Sequence, residues 1–202
     1  RQIGSRPKLQ QQIVMQNTPL INYDAFSHGQ IVSKIWLCEE LETFIPTGCT
    51  VSILGGWHNV LGFMMNVRRP NFYARIDNID LDQNAIAVAN KICNAWTIAG
   101  EVTNQVGDVE NINIKSDVLI SCSVEHFNNT TWFDQVPDGT IVCLQTVDVQ
   151  PEEQPLWYIT TPSTDLTDFA SKFPLSDTYF AGTKRIQYDS FGYTRLMIIG
   201  EK

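Results

Sequence analysis

Between residues 51 and 90 the chain carries a pattern that few folds can satisfy. A short apolar run, Val51-Ser52-Ile53-Leu54, breaks at Gly55-Gly56-Trp57-His58-Asn59, and apolar residues then recur at helical spacing from Val60 to about Arg68. A second strand, residues 75–79, ends at Asp80, and Asp82 opens another helix. Apolar runs bounded by turn residues read as buried parallel strands, so the unit is strand, glycine turn, helix, strand, acid. Bare backbone at Gly55 and Gly56 lets a ligand approach the turn, and the free N–H groups of the next helix face it. An acid about twenty residues on, at the tip of the adjacent parallel strand, is placed to accept from ribose hydroxyls. The unit therefore predicts an adenosine-bearing ligand.

Length and charge narrow the rest. With 202 residues, 43% of them apolar, the chain can bury the core of a single domain. We expect an N-terminal arm over residues 1–22, which are polar and Gln-rich, and one domain over residues 23–202. A net charge of −8 disfavours nucleic acid as a partner, because an acidic surface repels the phosphate backbone. The five cysteines are scattered, with no Cys-x-x-Cys pair, so they read as reduced core thiols of a cytoplasmic protein rather than a zinc site. No apolar run reaches bilayer length, and no signal-type segment opens the sequence; no membrane association is expected. Oligomeric state is not encoded in any feature of the sequence.

Ser27-His28-Gly29-Gln30 has capping-box spacing ahead of a helix that Pro46 and Gly48 stop. One helix is expected from Asp82 to Gly100, with Ile86, Ala89, Ile92, Cys93 and Trp96 on its buried face. Further strands are expected over residues 101–106, 117–121 and 140–147. The Pro-rich segment 148–162 reads as a loop. The last two strands, 178–188 and 193–200, are joined by Asp189-Ser190-Phe191-Gly192, too short for a parallel crossover, so they must be antiparallel. His58 is expected to face solvent, as are Arg68, Arg69 and Arg75.

This order, with acids at strand ends and a terminal antiparallel hairpin, resembles the class I S-adenosylmethionine-dependent methyltransferases over roughly residues 27–202. The resemblance implies a Rossmann-like three-layer α/β sandwich with a mostly parallel seven-stranded sheet and a C-terminal antiparallel hairpin. It implies S-adenosylmethionine as cofactor, with Gly55, Gly56, Trp57 and Asn59 in the first motif, Asp80 and Leu81 at the ribose, Asp108 and Val109 at the adenine, and Ser121 lining the methyl-donor pocket. Trp57 and Asn59 stand where the family's Gly-x-Gly-x-Gly pattern has its second and third glycines, and Asn tolerates the left-handed backbone this requires.

Methyl transfer is an in-line displacement, so a protein chiefly positions donor and acceptor. Where the acceptor keeps its proton until late, a general base is needed. Glu125 and His126 follow the strand whose end faces the ligand crevice and are the candidates. The expected activity is methyl transfer to a small molecule or a protein. The alternative is a non-catalytic member of the same fold that works through ligand or protein contacts. A nicotinamide-dependent dehydrogenase is a third reading, opposed by the missing Gly-x-Gly-x-x-Gly spacing and by the terminal hairpin.

Overall fold

The computed structural model describes residues 19–111 and 113–202, so most of the expected N-terminal arm lies outside the described residues. Seven strands form one sheet in the order β3-β2-β1-β4-β5-β7-β6. They are β1 (Thr50–Leu54), β2 (Arg75–Asp80), β3 (Val102–Val106), β4 (Val118–Ser121), β5 (Ile141–Val147), β6 (Asp177–Gln187) and β7 (Gly192–Glu201). The first five are parallel; β7 pairs antiparallel with both β5 and β6. The order reverses between β1 and β4, which is where open parallel sheets leave a crevice at the carboxyl ends of their strands.

The helices are α1 (His28–Leu41), α2 (Val60–Arg68), α3 (Gln83–Ile92), α4 (Asn94–Ala99) and α5 (Leu166–Lys172). On one face of the sheet, Trp36, Leu37 and Leu41 of α1 and Leu61 and Met65 of α2 pack on Val51, Ile53, Ile120 and Met197. On the other, Phe169 and Phe173 join Trp132 and Phe133 of a 3-10 turn over Leu54, Leu119, Leu144 and Ile198. Burial on both faces explains why β1, β4 and β5 run largely apolar without alternation. Among the described residues, no helix is long and apolar enough to cross a membrane.

Local expectations are corrected at several points. Ser27 caps α1 by position but makes no side-chain cap bond, and Gln30 instead accepts from Lys34, so no capping box forms. The helix expected from Asp82 to Gly100 is two helices, broken at Cys93, whose φ of −95° and ψ of 17° leave the helical basin. Arg68 and Arg75 are exposed, as expected, and reach Glu42 at 3.6 Å and Asp77 at 2.9 Å; Arg69 is instead partly covered, 3.4 Å over the Phe72 ring.

Candidate functional site

The turn after β1 is held from below by side-chain amides. Asn59 is fully buried; its Oδ1 accepts from the Gly62 N–H at 3.1 Å, capping α2, while its Nδ2 donates to Asn104 at 2.8 Å. Asn78 donates to the same Asn104 oxygen and to the Trp57 carbonyl, and Asn104 donates to Asn90. These bonds fix an uncommon backbone. Gly55, Trp57 and Asn59 all adopt left-handed conformations, with φ of 61°, 51° and 53°. All three positions of the glycine pattern are thus left-handed, although two of them carry side chains. Such a conformation at a bulky residue costs of order 1–3 kcal/mol and persists only where surroundings over-determine it.

Asp80 closes the arrangement. Its Oδ2 accepts from the Trp57 N–H at 2.8 Å and its Oδ1 from the Asp82 N–H at 2.9 Å. Two backbone donors orient the carboxylate and leave further lone pairs free, since an ionised carboxylate has about four acceptor sites. The Gly55 and Gly56 N–H groups reach back to the Ile79 carbonyl, tying the turn to the tip of β2. At Gly56 a Cβ would collide with Asn78 Oδ1, so the close approach of turn and strand requires glycine there.

Turn and carboxylate border one cavity of about 890 Å³. Gly55, Gly56, Trp57, Asp80 and Leu81 form one end of it, with Val109 and Phe127 alongside. The Trp57 ring stacks on His58 with centroids 4.9 Å apart and planes 23° apart, and both residues border the cavity. His58, expected at the surface, is 1% exposed, and its Nε2 accepts from the Asn22 N–H at 3.0 Å. Burial pushes its pKa below the ordinary value. Leu20 adds a two-way amide pair with Asn84, at 2.9 and 2.8 Å, so residues 20–22 are fastened across this end.

Glu125 and His126 border the cavity at its other end, in a 3-10 turn (Val124–His126) after β4. Glu125 is 3% exposed; its Oε1 lies 3.6 Å from Arg195 Nη1 and 4.0 Å from His126 Nε2. The His126 ring is half-exposed, with Nδ1 3.3 Å from the Tyr158 carbonyl oxygen.

Three of the residues singled out from sequence sit apart from the cavity wall. Asn59 supports the turn from beneath, as described. Ser121 is fully buried at the end of β4, and its hydroxyl has no hydrogen-bond partner among the described residues. Asp108 is exposed, with Oδ1 accepting from the Glu110 N–H at 3.0 Å and Oδ2 from Asn111 at 2.7 Å.

Sequence reasoning missed Lys34 and Arg195, two cations in the cavity wall. A signal for each existed. Lys34 lies within the apolar stripe of α1, three residues after Ile31 and four before Cys38, and Arg195 shares a strand face with Tyr193 and Met197. Cations at such positions are exceptional unless something answers their charge.

In sequence, the chain matches no protein-family model and no curated protein. Solved structures do match it. The N-methyltransferase NodS from Bradyrhizobium japonicum WM9 aligns with a TM-score of 0.64 at 10% identity, over 86% of this chain and 97% of that one. NodS has also been solved with S-adenosyl-L-homocysteine, and that complex aligns with a TM-score of 0.63. PH1948 from Pyrococcus horikoshii, provisionally assigned as an RNA methyltransferase, gives 0.60 at 14% identity over 85% of each chain. A protein from Galdieria sulphuraria, provisionally assigned as a sarcosine dimethylglycine methyltransferase, gives 0.64 at 12% identity over 91% of this chain and 92% of its own. The chain therefore has the class I S-adenosylmethionine-dependent methyltransferase fold, with the family's terminal hairpin at the far edge of its sheet.

Proposed function

We propose that this cavity binds S-adenosylmethionine and transfers its methyl group to a small-molecule acceptor. The observation that carries the reading is that the Asp80 carboxylate and the left-handed turn at Gly55 border one cavity, with acceptor sites on the carboxylate still free. The donor set suits an adenosyl group: bare backbone at Gly55 and Gly56, an oriented carboxylate for sugar hydroxyls, and apolar Leu81 and Val109 for the faces of a base. S-adenosylmethionine supplies a methyl group made electrophilic by its sulfonium centre.

The chain's own work is then positioning and exclusion of water. Asp80 fixes the donor's sugar, and the opposite end of the cavity orients the acceptor. Where the acceptor carries a proton, Glu125 accepts it within the buried site, or His126 passes it to solvent from the rim. The enclosed volume favours a small acceptor; the cavity lies within the usual range for small-molecule sites.

Calorimetry with S-adenosylhomocysteine tests the reading, with Asp80→Ala as the variant. The variant removes the acceptor for the sugar hydroxyls together with the bonds that hold the Trp57 and Asp82 N–H groups, so affinity should fall about a hundredfold or more while the far-ultraviolet spectrum keeps its native form. Equal affinity in the variant rejects the sugar-binding role. No heat with wild-type protein would favour the alternative of a non-catalytic binding module.

A further inference from the structure

The end of the cavity remote from Asp80 holds more positive charge than its own groups answer. Lys34 and Arg195 are 8% and 3% exposed, and both border the cavity. Arg195 is partly satisfied: Nη1 donates to the Cys122 carbonyl at 2.8 Å and faces Glu125, while Nε has no partner among the described residues. Lys34 Nζ donates to Gln30 Oε1, a neutral amide. Among the described residues, no carboxylate lies within ion-pair distance of it. Asp24, at the rim and exposed, acts on it only through space, and the Cys122 thiol stands nearby. Burial pushes the Lys34 pKa down, as expected where a neutral amide replaces the water around an ammonium. An anion entering the cavity would restore that lost solvation.

The walls around these cations are aromatic. Trp157 meets Tyr193 edge-on with centroids 5.2 Å apart, and Tyr188 and Phe191 stack at 4.7 Å with planes 7° apart. All four border the cavity. Flat rings of this kind accept another ring by stacking or edge contact. From β2, which carries Asp80, to β7, which carries Arg195, the sheet crosses four strand spacings, about 19 Å. A donor whose sugar is at Asp80 leaves this far end for a second molecule.

We propose that the methyl acceptor is a small aromatic carboxylic acid, its carboxylate held by Lys34 Nζ and the Arg195 guanidinium and its ring against Trp157, Tyr188, Phe191 and Tyr193. The word acceptor rests on the methyl-transfer reading; the binding site itself does not.

The test is calorimetry and thermal unfolding of the full chain with 4-hydroxybenzoate and, as a neutral match, 4-hydroxybenzamide. The acid should bind and raise the unfolding temperature, and the amide should do neither. Lys34→Met keeps length and apolar packing while removing the charge, so the variant should fold at least as stably and bind the acid about tenfold or more weakly. Equal binding of acid and amide, binding of neither at millimolar concentration, or undiminished binding in Lys34→Met overturns the proposal. S-adenosylhomocysteine binding, measured separately on the same proteins, keeps the two readings apart. Its absence beside retained acid binding would remove the methyl-transfer reading and leave the anion site standing.

Discussion

The two ends of the cavity are built on different principles. At the β2 end the working groups are main-chain N–H donors, one carboxylate that main-chain donors orient, and a turn braced by neutral amides. At the β7 end they are long side chains from α1, the segment after β4 and the hairpin, with charges buried to within a few per cent of full enclosure. Geometry made from backbone tolerates side-chain replacement; a buried ion pair such as Arg195–Glu125 does not, because removing one partner strands the other in low dielectric. Lys34, which has no carboxylate partner among the described residues, can lose its charge without stranding another.

The sharpest way to break that contrast is Glu125→Ala. It leaves the Arg195 guanidinium buried without its carboxylate, and such losses cost about 3–5 kcal/mol. Chemical denaturation at neutral pH measures this, and an unchanged midpoint would show that the pair does not hold the β7 end together.

A smaller effect is expected from pH at the β2 end. Burial holds the folded-state pKa of His58 below 6.5, so the unfolded chain takes up a proton first as pH falls. Stability should be unaffected above that value. It should decline as pH drops through 6.5 toward the lower folded pKa, by no more than about 1.4 kcal/mol per pH unit for one proton. Melting curves of wild type and His58→Gln between neutral and mildly acidic pH isolate the contribution; parallel curves would refute it.

The smallest effect should come from Trp57→Gly. Relief of left-handed strain, of order 1 kcal/mol, offsets the lost ring contact with His58, so stability should move by about 1 kcal/mol or less. Affinity for S-adenosylhomocysteine should stay within a few-fold. A larger loss would mean that the indole itself, rather than the backbone beneath it, contributes to this end.

The same contrast explains which parts of the molecule are legible in the sequence alone. The β2 end is local in sequence: turn, helix, strand and acid follow one another within residues 51–82, and each announces itself by glycine, apolar run or capping acid. The antiparallel hairpin was equally legible, since four residues cannot make a parallel crossover. The β7 end draws on Gln30, Lys34, Cys122, Trp157 and Arg195, which no spacing rule connects. His58 illustrates the limit from the other side. A histidine in a glycine turn reads as exposed, but His58 is buried, with Trp57 stacked on it and the Asn22 N–H, 36 positions away, donating to its ring. The broken helix at Cys93 was hidden because apolar periodicity continues across the break.

The amide ladder under the turn has one more consequence. Asn59, Asn78, Asn104 and Asn90 link the loop after β1 to β2, β3 and α3 with groups that neither ionise nor attract counter-ions. The floor beneath the loop therefore has no group of its own to titrate. Protons reach this end of the cavity through His58 in the turn above, and the amides beneath Gly55 add nothing to that response.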